Sequence, residues 1–131
     1  MATKKWELYR SSVEADVVQK EIAKCGLRRH ELVRLQKIME RAAANELLPK
    51  DRKSLGEGLW ELRLNCGERI FRLFYSEIEG AGPLLLALKF VNKKSTQGIK
   101  TDPGDIDTAR KRLSEWQTRQ SGDDSAVEAL K

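Results

Sequence analysis

The stretch WELRLNCGERIFRLFY, residues 60–75, constrains the fold most strongly. Apolar and polar side chains alternate on either side of Cys66 and Gly67, the pattern of two strands joined by a tight turn. Trp60, Leu62 and Leu64 point one way, and Glu61, Arg63 and Asn65 the other. In the next strand Phe71, Leu73 and Tyr75 share one side, and Ile70, Arg72 and Phe74 the opposite one. A two-residue loop pairs Leu64 with Arg69, Arg63 with Ile70 and Leu62 with Phe71. That register gathers the apolar six on one face and leaves Arg63 and Arg72 together on the other. A three-residue loop would send the arginines into the core, so the period itself selects the even register.

Other elements assemble around this hairpin. A short strand spans Trp6 to Tyr9, and Ser11 with Glu14 offers a capping box for a helix carrying Ala15, Val18, Ile22 and Cys25. Gly26 stops it, and a second helix runs from about Arg28 to Ala44 with Leu32, Leu35, Met39 and Ala42 on one face. Pro49 opens a polar loop, PKDRKSLGEG, which contains Lys53. A third sheet strand, Leu84 to about Lys93, is apolar on both faces in its first half, as a central strand is. Alternation groups Leu84, Leu86, Leu88 and Phe90 against Leu85, Ala87, Lys89, Val91 and Lys93. Asp102, Pro103 and Asp105 then start a helix with Ile106, Ala109, Leu113 and Trp116 on its buried stripe. The predicted class is α+β: a small antiparallel sheet packed by an N-terminal helical hairpin and a C-terminal helix. Residues 1–120 form one domain, and 121–131 read as a polar, disordered tail.

With 131 residues, 40% hydrophobic and 34% charged, the chain supports one globular core. Its longest apolar run, LLLAL at 84–88, is strand-sized, and no secretory signal is expected at the N-terminus. No membrane partner and a cytoplasmic location are therefore expected. Cys25 and Cys66 read as a reduced pair, and with His30 they are too few for a metal cluster, so no metal or cofactor is expected. The net charge is +5, which suits an anionic partner without requiring one.

Where the charge lies matters more. If the third strand shares its core face with the hairpin, Lys89 and Lys93 join Arg63 and Arg72 on a partly open, cationic surface. Glu61 next door supports an ordinary solvated ion-pair reading. A polyanion would instead explain why several cations converge, since each phosphate accepts a bidentate guanidinium contact. His30, as the single histidine, rules out a two-histidine nuclease and suits a helix-start surface position. Phe74 is the one credible stacking aromatic on the basic face, while Tyr75 alternates with the core residues.

Three segments, LGEGLWELR, RIFRLFY and LKFVNKKSTQGIKTDPGDIDTARKRL, resemble the RelE/HigB superfamily of bacterial toxins, in its phage-derived HigB-like branch. The similarity covers roughly residues 55–115, and over residues 1–50 it rests on element order. The resemblance implies a RelE-like fold and the toxin of a type II toxin–antitoxin system. Such a toxin inhibits translation as an mRNA interferase, a metal-independent endoribonuclease that cuts mRNA on the ribosome. It is neutralised by a cognate antitoxin, a small helix-turn-helix protein. Cleavage in this family uses the RNA's own 2′-hydroxyl and leaves a 2′,3′-cyclic phosphate. By motif, the resemblance assigns Arg72 to transition-state charge and Arg63 to phosphate binding. Lys93 and Lys94 match the Lys-Lys pair, as candidates for RNA contact or proton transfer, and Lys53 and Lys89 join Phe74 as candidate substrate-binding residues. KKSTQGIKT lacks the tyrosine some members carry there, and Lys89 stands where relatives often have glycine. The general acid is therefore unassigned. A catalytically silent RNA- or ribosome-binding module, or a protein-interaction module using the same face, is the alternative.

Overall fold

A computed structural model describes residues 3–11, 13, 15–67, 69–79, 83–94 and 101–129, with side chains for all of these except 93, 94 and 121–129. Five strands form one sheet: β1 (Lys5–Leu8), β2 (Arg52–Gly56), β3 (Leu59–Asn65), β4 (Arg69–Ile78) and β5 (Leu84–Lys94), in the order β1-β5-β4-β3-β2. The helices are α1 (Val17–Lys24), α2 (Arg29–Ala43) and α3 (Pro103–Ala129). The class is α+β as expected, but the sheet is mixed, because β1 lies parallel to β5. The other neighbours are antiparallel.

The hairpin keeps the expected faces with a different register. Arg63 lies opposite Arg72, Leu62 opposite Leu73 and Leu64 opposite Phe71. The Cys66 N–H donates to the Arg69 carbonyl at 2.9 Å, so the turn closes one residue later than expected. Gly67 takes φ +88 there, a conformation open to glycine at little cost. Every pairing moves by two residues, an even shift, so the apolar six still share a face.

In β5 the simple alternation fails. The register slips between Phe74 and Tyr75, which pair with Lys89 and Ala87, leaving Leu88 as the extra residue of a bulge. Phe90 therefore lies with Leu73, and Ala87 with Tyr75, on one face. The Phe71 and Phe90 rings stack there with centroids 5.6 Å apart.

The polar stretch after Pro49 is not a loop. It forms a single 3₁₀ turn, Pro49–Asp51, and then edge strand β2, which carries Lys53 opposite Glu61. With positive φ at Gly56 and Gly58, the two-residue hairpin turn at Glu57–Gly58 falls where the sequence shows only a polar, glycine-bearing run.

The helical hairpin covers the apolar face. Leu35, Ile38 and Ala42 of α2 are buried, whereas Leu32, expected on that stripe, is 42% exposed and the neighbouring Glu31 is buried in its stead. The Trp6 indole N–H donates to the Met39 carbonyl at 2.8 Å, and its ring packs 5.4 Å from Tyr75. α1 begins at Val17, later than the Ser11 capping box implies; Ser11 closes a pre-helical turn with Ala15 instead, and Glu14 lies outside the described residues. Glu21 of α1 accepts the Phe90 backbone N–H at 3.1 Å, which satisfies a donor of β5 beyond the end of β1.

Arg69 locks the two halves together. Its guanidinium donates to Glu31, to the Cys25 carbonyl (3.0 Å) and to the Gly26 carbonyl (2.9 Å), pinning the α1–α2 joint to the start of β4. The hydrogen bond from Arg69 holds the Glu31 carboxyl down at about 2, against an ordinary 4.5, and the Arg28 backbone N–H adds to the effect. A carboxylate lowered by folding contributes stability above its unfolded value and loses it as pH falls through the folded one. Melting temperature should therefore fall between pH 4.5 and 2, and Glu31→Gln should remove that component of the acid slope. An unchanged slope in the variant would refute this assignment.

α3 lies across the opposite face. Asp102 accepts the Gly104 N–H at 2.8 Å, Ala109 and Leu113 are buried, and Ile106 and Trp116 pack beside them, as the stripe predicts. Helical backbone continues to Ala129, through the polar stretch expected to be a disordered tail. Trp116→Ala should destabilise the fold by about 2 kcal/mol through lost burial. A melting curve that does not move would contradict the docking of α3.

Candidate functional site

The cross-strand pairing of Arg63 with Arg72 puts two like charges directly opposite each other, which by itself is destabilising. Glu61 resolves the conflict from the same face. One carboxylate oxygen accepts from Arg63 Nε at 2.8 Å; the other lies 3.8 Å from Arg72 Nη1. The Thr101 hydroxyl, just before α3, donates to that second oxygen at 2.6 Å and accepts from Arg72 Nη1 at 3.4 Å. Glu61 is 0% exposed and Arg72 2%, whereas the Arg63 side chain is 29% exposed. The expected open cationic surface is therefore corrected: α3 covers it, and of the two arginines Arg63 is the one that solvent reaches.

The other candidates sort by register. Lys53, Glu61, Phe74 and Lys89 form one row across four strands, next to the row of Arg63, Arg72 and Val91. Lys53 is exposed at the sheet edge. Lys89 is mostly covered, 3.7 Å from Glu21 and 3.9 Å from Asp105, so it bridges α1 and α3 rather than facing solvent. Phe74 is 0% exposed, which removes it as a stacking platform: its ring belongs to the core beneath α3. Lys93 and Lys94 pair through the backbone with Ile70 and Arg69, and their side chains lie outside the description. So does the segment 95–100.

Tyr75 is a core residue, 1% exposed, and its hydroxyl accepts from Arg52 Nη1 at 3.5 Å. Burial pushes the Tyr75 phenol above its ordinary value, away from proton transfer near neutrality. His30 is exposed at the start of α2. Both cysteines are free and half-buried, and burial raises both thiols. Among the described residues, no group of three or more His, Cys, Asp or Glu could hold a metal ion, and no helix is long and apolar enough to cross a membrane.

Two features escaped the sequence reading. Thr101 reaches Glu61 across forty positions, and no local pattern announces such a contact. The second is a groove of about 700 Å³ between α2 and the end of β3. Arg34, Lys37 and Arg41 line its helical side, Lys50 and Arg63 the other, with Asp51 as its carboxylate. These cations occur at helical spacing on α2, which is the signal that could have found them. The exposed part of Arg63 thus belongs to a basic groove, while its Nε reaches back to the buried pair.

No curated protein sequence matches the chain. The family model described as phage derived protein Gp49-like (DUF891) matches residues 26–114, which include α2, β2 to β5, most of the α3 contact with the sheet, and all the residues of the Arg63–Glu61–Arg72 cluster. That match spans well over half of the sequence, and the family is toxin-like and related to RelE and HigB. The chain belongs to the phage-derived Gp49-like protein family.

Proposed function

We propose that the protein is the toxin of a toxin–antitoxin pair and acts as a metal-independent endoribonuclease on mRNA at the ribosome. The carrying observation is the Arg63–Arg72 pair, held face to face by Glu61 inside the region that defines the family. Such a pair suits a phosphate that becomes a dianionic phosphorane when the neighbouring 2′-hydroxyl attacks it. Arg63 is the entry contact, because it alone of the two is reachable. Arg72 supplies charge once Thr101 gives way, with the phosphate oxygens taking the place of the Thr101 hydroxyl and of part of Glu61. Lys93 and Lys94 remain the candidates for RNA contact and proton transfer, and the exposed Lys53 for substrate binding; Lys89 would reach RNA only by leaving Glu21 and Asp105. The cytoplasm and a helix-turn-helix antitoxin belong to the same proposal.

A specific observation favours a second reading. Arg72 is buried and compensated by Glu61, an arrangement that a purely structural core pair would also show. In that case the protein binds RNA through its exposed cations and does not cut. Cleavage of mRNA on programmed ribosomes separates the two. The nuclease reading requires cuts ending in cyclic phosphate from the unaltered protein. Folded protein that leaves the message intact refutes it.

A further inference from the structure

We infer that the groove between α2 and β3 is a docking site for an acidic, amphipathic helix of a partner protein. Its floor is apolar, with Ile38 and Leu64 buried at 7% and 6% exposure. Val33 and Leu48 also line it, at 41% and 47% exposure, so the groove offers apolar side chains that the fold itself leaves uncovered. The α2 residues that line it run from Val33 to Arg41, one continuous stripe of about 12 Å, two turns of helix. A second helix laid along that stripe would bury the aliphatic pair.

Charge selects the sign of the occupant. Five cations line the groove against one carboxylate, Asp51, which already accepts from Arg41 at 3.3 Å and from the Leu48 N–H at 2.9 Å. Among the described residues, Lys37 and Lys50 have no carboxylate within ion-pair distance. Flanking glutamates or aspartates on the docked helix would meet them.

Nucleic acid fits the same cations less well. A single strand is held by phosphate contacts together with aromatic stacking, and the groove lining contains no aromatic residue. Exposed valine and leucine give a phosphodiester backbone nothing, whereas they are the anchors a helix-in-groove interface uses. Because Arg63 forms one wall, an occupant would also cover the reachable cation of the arginine pair. The inference itself does not depend on the nuclease reading.

The test uses the full chain and fluorescence anisotropy. The probe is a labelled helical peptide of about 18 residues, with leucine at i, i+3, i+4, i+7 and glutamate on the flanks. A scrambled peptide of the same composition and a uridine-rich oligoribonucleotide are the comparisons. The helical peptide should bind about tenfold or more tighter than its scramble. Leu48→Ser and Lys37→Ala/Lys50→Ala should each weaken it about tenfold, and Lys20→Ala on α1 should not. Melting curves of these surface variants check folding. Equal binding of peptide and scramble, or indifference to Leu48→Ser, would overturn the proposal. So would tighter oligoribonucleotide binding that needs Lys37 and Lys50 but not Leu48, since that outcome marks an RNA path. Ribosomal mRNA cleavage is scored separately, so absence of cutting leaves the docking result standing, and absence of docking leaves the nuclease result standing.

Discussion

Glu61→Ala should destabilise the protein by about 3–5 kcal/mol, the cost of breaking a buried pair and leaving charge behind. Glu61 is fully buried and is the carboxylate between two arginines that face each other across β3 and β4. Its removal leaves Arg72 in the core with Arg63 opposite, and takes the acceptor from Thr101. For a domain of this size the melting temperature should drop by roughly 10–20 °C. The double variant Glu61→Leu/Arg72→Met tests the cause, since it removes both buried charges and keeps most of the volume. It should recover much of the loss, because a buried ion pair adds little over well-packed apolar groups. A Glu61→Ala protein that melts within about two degrees of the unaltered chain would show that water, not Glu61, stabilises these arginines.

Arg63→Ala should reduce mRNA cleavage about a hundredfold or more while leaving the fold largely intact, on the nuclease reading. Its side chain is partly exposed, and Glu61 keeps Thr101 and Arg72 as partners when it goes. The stability loss should be about 2 kcal/mol or less, the range for one hydrogen bond to a charged group. Arg72→Ala is a poorer probe, since it empties the largest fully buried side chain among the described residues and mixes folding with chemistry. Arg63→Lys refines the result: it keeps the charge and loses the planar fork, so partial rescue points to charge and none to bidentate phosphate geometry. Cleavage unaffected by Arg63→Ala would remove this residue from the site. Cleavage absent from the unaltered protein would leave RNA binding as its role.

The hairpin shows how far local pattern reaches. Period-two alternation places Leu62, Leu64, Phe71 and Leu73 on one face for any turn that shifts the register by an even number, because an even slip preserves faces. It does not choose between registers two residues apart, and the turn at Gly67 chose the later one. Strand β2 was hidden for a related reason. RKSLG has no apolar alternation, since an edge strand with one exposed flank needs only a neighbour's hydrogen bonds, and β3 provides them. The bulge at Leu88 left no trace either, because leucine and alanine suit either face of a covered strand.

The site divides in the same way. That Arg63 and Arg72 share a face, that α3 begins at Asp102 and Pro103, and that Tyr75 is a core residue follow from near-neighbour spacing and were legible in the sequence. Phe74 and Lys89 share the arginines' face, yet they are covered, because α3 packs there and Glu21 of α1 reaches Lys89 from the edge of β5. Burial is a property of what arrives from elsewhere in the chain, and alternation carries no information about it. The Thr101–Glu61 bond and the groove beside α2 likewise join segments far apart in sequence. Sequence alone determined which residues lie on which side of the sheet, because that depends on the backbone's own period. The tertiary structure alone decided which arginine is sealed beside a carboxylate and which one solvent can reach, because that depends on where α3 comes to rest.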